Sequence, residues 1–321
     1  MLLKTILLLL LFTTISSKSF CQKSIICTRD ITNFWTAFDT LKNINDTSHQ
    51  NKSIKRIYFD RASDGLMEFI KVRHWTPEKY RISITSYGNF WKTVRPRTVN
   101  LSNDSILILR MLKRYKHLYK DFKTPEIYFV ISPISTGGTT TQNHVLIGTE
   151  ISCGDSTVNA TGLNLFLRDF YKTNKGVVDL VAHELTHTQQ KGGDMEDKRN
   201  SNLLGFCIAE GMCDFIAELL LQRKINRPYI IYGEKNERKI WYDFQKEMLS
   251  KNISGWLYNG GTRQNNDADL GHFVGYAICK SYYQHARNKR KALKEIISLD
   301  LEDSKTVSKF LDTSLYGKQF E

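Results

Sequence analysis

A chain of 321 residues, 41% of them hydrophobic and 25% charged, is long enough to bury one large core or two modest ones, and shows no repeat or long low-complexity stretch. Beyond the first twenty residues no apolar run is long enough to cross a bilayer, so no transmembrane span is expected in the mature chain. The formal charge of +13 comes from scattered Lys and Arg without a nucleic-acid-binding motif, which argues against a nucleic-acid partner.

The N-terminus reads as an export signal. Lys4 precedes an apolar run over residues 5–15, followed by small polar residues. Ser19-Phe20-Cys21 offers small residues for a signal peptidase, so residues 1–21 are expected to be removed and the chain to be periplasmic or secreted. The rival is a lipoprotein anchored through Cys21, which Phe20 and Lys18 fit poorly. Five cysteines then remain: Cys27, Cys153, Cys207, Cys213 and Cys279. An odd number cannot all pair internally, and buried small side chains are a simpler use for them than a disulfide framework.

Residues 22–124 read as a helical region. Asp30 is placed to cap a helix with the apolar face Phe34, Trp35 and Phe38. Thr76-Pro77-Glu78 is a helix start, with a capping hydroxyl and proline at the first helical position. Tyr80, Ile84, Tyr87, Trp91 and Val94 continue it as one stripe, ended by Pro96. Another helix is expected over 105–122. From residue 125 the period changes. Residues 127–131 and 144–151 read as strands around a turn-rich stretch carrying Gly137-Gly138. Helices return over 176–190, 203–223, 238–249, 269–287 and 304–311. Helices, a small sheet, then helices predict an α+β fold.

Chemistry concentrates at residues 183–187, His-Glu-Leu-Thr-His. Two histidines four apart share one helix face and can hold one ion, so His183 and His187 are candidate zinc ligands. Glu184 sits one position round the helix, where it would act as general base on metal-bound water. Zinc needs a third protein ligand. A polar break over 192–201 lets the chain turn, and the next helix carries Glu210 in an apolar stretch, where an unpaired carboxylate is costly. Glu210 is therefore the third candidate. Asp214, one turn later, is placed to accept the second ring N–H of a ligand histidine.

These residues resemble the gluzincin metallopeptidases, in which HExxH is followed on a second helix by a glutamate ligand and, four residues later, an aspartate. The chain is also similar to a bacterial family of predicted zinc-dependent proteases, through the stretch DITNFW starting at Asp30, Gly137-Gly138-Thr139, Ile147-Gly148 and Gly271 to Tyr276. The resemblance implies a mainly helical, zincin-like fold with a small sheet next to the HExxH helix, a bound Zn2+ and a catalytic region over 125–321. It also implies an edge strand near residues 144–149 to align an extended peptide, although an ordinary hairpin explains that stretch equally well. His272 and Tyr276, one turn apart, are candidates to stabilise an oxyanion, and each also has a plain use in packing or capping. The expected activity is zinc-dependent hydrolysis of a peptide or protein substrate. The alternative is a non-catalytic binding or assembly protein of the envelope that retains a zincin fold.

Overall fold

The computed structural model describes residues 25–141, 143–174, 176–191, 200–260 and 267–320. The export signal, Cys21 and most of the polar break after residue 191 lie outside the described residues. The short strand β1 (Ile26–Cys27) leads into α1 (Arg29–Leu41), α2 (Thr47–Ile54) with a π-helical extension Lys55–Phe59, α3 (Asp64–Arg73), α4 (Pro77–Ser86), α5 (Gly88–Val99) and α6 (Ser102–Leu118). The sheet follows as β2 (Glu126–Val130), β3 (Gly138–Thr140) and β4 (His144–Gly148), with the single turn α7 (Thr149–Ser152) directly behind it. The rest is helical: α8 (Leu165–Thr173), α9 (Val178–His187), α10 (Leu203–Leu221), α11 (Pro228–Gln245), α12 (Leu270–His285), α13 (Lys289–Ile297) and α14 (Ser304–Ser314). The predicted α+β class, mainly helical with a small sheet beside the HExxH helix, is the architecture observed.

The strands run in the order β1-β2-β4-β3, with β1, β2 and β4 parallel and β3 antiparallel to β4. Both β2 and β4 are almost continuously apolar and buried, as strands covered on two faces must be. The N-terminal helices α1 and α3 cover one side, and α9 packs against β3 and β4. Buried apolar side chains run as one cluster from α1 through the sheet to α14.

Several expectations are corrected here. The strand at 144–148 is not an edge. β3 occupies its free side, with Gly138 opposite Ile147 and Thr140 opposite Val145. The hairpin closes because Gly148 has no side chain: a Cβ there would lie 2.0 Å from the Thr136 carbonyl oxygen. The stripe from Tyr80 to Val94 is two helices rather than one. Tyr87 leaves helical geometry (φ −123°, ψ 42°) between α4 and α5, and the indole of Trp91 donates to the Ser83 carbonyl across the break. Pro96 lies inside α5 instead of ending it. Asp30 does not cap α1. It is buried in the first turn, where it accepts hydrogen bonds from the backbone and hydroxyl of Ser63. Ser63 in turn caps α3 at Leu66 N, so Asp30 secures a helix 33 residues away. The capping of α4 by Thr76 follows the prediction.

Two polar anchors tie the N-terminal helices to the sheet. The phenols of Tyr58 and Tyr80 both donate to the Ile131 carbonyl, at 2.7 and 2.8 Å, just beyond β2. They belong to an aromatic cluster in which Phe34 lies 5.0 Å from both Trp35 and Trp91, centroid to centroid. The second anchor is Glu150, fully buried in α7, whose carboxyl meets the backbone N–H and the hydroxyl of Ser132.

Burial pushes the Glu150 carboxyl up to about 8, and the Ser132 hydrogen bonds only partly offset it. The folded chain therefore favours the protonated acid. This contribution to stability is fully present below the ordinary value of 4.5 and is lost as pH rises through about 8. Glu150→Gln should remove that loss and make the chain more stable than wild type at pH 9, by up to roughly 5 kcal/mol. Urea unfolding of both chains at pH 5 and pH 9 checks it. Equal pH dependence in the two would show that Glu150 is ionised in the fold.

Candidate metal centre

Helix α9 is buried from Val181 to its end, and this second half carries His183 and His187. The two side chains project from one helix face, as their spacing requires. Helix α10 is apolar nearly all round and buried along most of its length, which makes it the central helix of the second half. It presents Glu210 and Asp214 to α9.

The structure brings four of the predicted site residues together. His183 Nε2 and His187 Nε2 are 3.2 Å apart, and Glu210 Oε2 lies 3.3 Å from the first and 3.4 Å from the second. Ligand bonds of about 2.0–2.1 Å in a tetrahedral zinc site place neighbouring donor atoms about 3.3–3.4 Å apart. The three atoms match that spacing.

Their orientation is fixed from behind. His183 Nδ1–H donates to Asp214 Oδ1 at 3.0 Å, and Tyr229 donates to the other Asp214 oxygen at 2.9 Å. His187 Nδ1–H donates to Gln190 Oε1 at 3.2 Å, and the Gln190 amide is held by the Ala209 carbonyl at 2.7 Å. Tyr258 donates to Glu210 Oε1 at 2.7 Å, leaving Oε2 for the histidines. With both Nδ1 atoms donating, both Nε2 atoms of the neutral rings face the same point with lone pairs. Two lone pairs and a carboxylate oxygen in mutual contact need positive charge between them, as a cation or a proton.

The electrostatics say the same. Burial opposes a charge on His183, but Asp214 and Glu210 outweigh it and raise the imidazole to about 10. Burial also opposes charge on His187, and Glu210 overrides it. Burial would raise Glu210 and Asp214, yet the facing histidines hold both carboxyls well below the usual carboxylate range. Cys213 also lies within reach of the two histidines. Its thiol is pushed far up by burial and donates to the Ala209 carbonyl, so Glu210 is the better anionic donor.

The remaining predicted residues divide. Glu184 is off the ligand triangle and lies against β3, where a Cβ on Gly138 would come within 3.2 Å of its Oε1. His272 is close to the centre, with Nδ1 3.8 Å from Glu210 Oε2 and 3.7 Å from Asp214 Oδ2. Tyr276 is turned elsewhere: its hydroxyl donates to Glu218 at 2.5 Å and accepts from Lys280 at 2.6 Å. One helical turn separates Tyr276 from His272, but the pull of Glu218 and Lys280 takes its hydroxyl away from the centre. Tyr229, Tyr258 and Gln190 escape sequence reasoning. Only Gln190, three residues after His187, carries a spacing signal.

This geometry predicts metal binding by the folded chain. Wild type should take up about one zinc per chain. His183→Ala or His187→Ala should abolish uptake, and Asp214→Asn should weaken it by roughly 10–100-fold. Glu210→Gln should weaken it more than Asp214→Asn does. Competition against a chromophoric chelator measures all four, and full zinc binding by the two alanine variants would refute the assignment.

Residues 22–316 match the family model described as Gliding motility protein GldB. No curated protein and no solved structure matches the chain. The family's description concerns motility, and it overturns the expectation of a gluzincin-type zinc peptidase. The classification as an enzyme, a hydrolase and a protease falls with it, and a peptide substrate has no support. The physical source of the error is plain. Two histidines one turn apart and a glutamate on the next helix specify how an ion is held, and holding an ion is not turnover. Since the match spans nearly the whole chain, the protein belongs to the GldB gliding motility family.

Proposed function

We propose that this chain is a non-catalytic binding or assembly protein of the cell envelope that serves gliding motility, with His183, His187 and Glu210 holding zinc as a clasp between α9 and α10. The family match over residues 22–316 carries the reading. The ligand residues are each less than a tenth exposed, which suits an ion that joins two helices. Metal binding of this kind stabilises the fold, because the site does not exist in the unfolded chain. The export signal read in residues 1–21 supports a location outside the cytoplasm, and among the described residues no helix is long and apolar enough to cross a membrane.

Attachment is then supplied by a lipid on Cys21, which moves the cleavage site from after Cys21, as first expected, to before it. The family's short name, GldB_lipo, points to a lipoprotein, and the match begins at the residue after Cys21. A thioether-linked lipid would tether the folded domain to the envelope without a membrane-spanning helix.

Genetic complementation tests the non-catalytic role. In a gliding bacterium whose own GldB-family gene is replaced by this one, Glu184→Gln should restore gliding as well as wild type does. His183→Ala, unable to hold the clasp, should restore little. Loss of gliding with a folded, zinc-loaded Glu184→Gln protein at normal abundance would overturn the reading. Labelling with a radioactive fatty acid tests the anchor: wild type should incorporate label and Cys21→Ala should not. An unlabelled wild-type protein would remove the anchor from the proposal.

A further inference from the structure

We propose that His272 is a fourth protein ligand, which closes the centre formed by His183, His187 and Glu210. The inference rests on the metal reading above and adds a residue to it. His272 Nδ1 is buried and has no hydrogen-bond partner. Its distances of 3.7 Å to Asp214 and 3.8 Å to Glu210 are too long for hydrogen bonds. A buried ring nitrogen without a partner is costly, and this one is directed at two carboxylates.

Its position is imposed by the backbone. Helix α12 crosses α10 where two glycines meet: a Cβ on Gly211 would lie 2.0 Å from Tyr276 N, and one on Gly275 would lie 1.7 Å from the Cys207 carbonyl oxygen. That contact sets the first turn of α12 beside Glu210 and Asp214. The His272 ring lies against Tyr229, with centroids 4.9 Å apart, and 5.9 Å from the His183 ring. Donor atoms of His183, Glu210 and His272 all lie within 4.8 Å of one another. Neighbouring ligands of a tetrahedral zinc are about 3.3–3.4 Å apart, so Nδ1 falls a few tenths of an ångström short of ligand spacing from Glu210.

Three protein ligands leave a position for water, whereas four make a closed site of the structural kind. With His272 as the fourth, no bound water remains for Glu184 to activate. This explains how an HExxH helix serves a motility protein. His272 coordinates through Nδ1, whereas His183 and His187 offer Nε2, and this difference is measurable.

Nitrogen-15 NMR of the full chain with labelled histidine, with and without one equivalent of zinc, reads which ring nitrogens bind. Three coordinated imidazoles are expected, two through Nε2 and one through Nδ1. His272→Ala and the more space-filling His272→Gln should each show two, both through Nε2, with zinc affinity at least tenfold weaker. Two coordinated imidazoles in zinc-loaded wild type would overturn the role of His272 and leave the three-residue centre standing. A wild-type chain that takes up no zinc would overturn both. The wild-type spectrum decides even where a variant fails to fold.

Discussion

The second half of the molecule depends on the contact between α10 and α12, where backbone meets backbone. Gly211 and Gly275 leave no room for a single added carbon, so the two helices lie closer than side-chain packing allows. The residues beside these glycines carry the chemistry. Glu210 immediately precedes Gly211, Asp214 follows one turn later, and His272 begins the same helix as Gly275. A larger residue at either glycine would separate the carboxylates from the histidine, and with them the centre.

Bringing these groups together has an electrostatic consequence. Glu210 and Asp214 are buried in a helix whose one other charged residue is Glu218, and an isolated carboxylate is strongly disfavoured there. The fold meets this by surrounding the carboxylates with donors: Tyr258 and Tyr229 on the outer oxygens, and imidazoles on the inner ones. Glu210 and Asp214 then remain ionised and attract positive charge to the point the histidines face. Two tyrosines and a glutamine thus perform the aligning work that the metal motif itself does not encode.

That division explains what was legible in the sequence. HExxH and the later Glu210–Asp214 pair follow from helical periodicity, because each pair lies within one helix and spacing alone sets its face. Most helix and strand types followed for the same local reason, including the Thr76 cap, although residues 149–151, expected as strand, belong to the helical turn α7. Long-range choices did not follow. Asp30 resembles a cap by position, but its partner is Ser63 on another helix. Tyr276 stands one turn from His272, but Glu218 and Lys280 orient its hydroxyl. Tyr258 reaches Glu210 across 48 residues of chain, a separation that carries no pattern. Nor does ligand geometry encode whether a fourth position is open. The peptidase expectation came from treating a rule for holding an ion as a rule for using it.

The sheet joins this centre to the aromatic N-terminal half. On one side, Tyr58 and Tyr80 hold the Ile131 carbonyl at the end of β2. On the other, β3 lies beneath α9, and Gly138 leaves the space that the Glu184 carboxylate fills. Between them β4 pairs with both neighbours along its length, and Glu150 ties the turn behind β4 to the residues that follow β2. Glu184 is thus packed where α9 meets the sheet, and its placement is explained by shape as well as by chemistry. A carboxylate lodged against an edge strand beside the candidate metal centre can serve to seat α9 on the sheet. On that view the second residue of HExxH belongs to the join between the two halves, and the centre and the aromatic cluster share one continuous core.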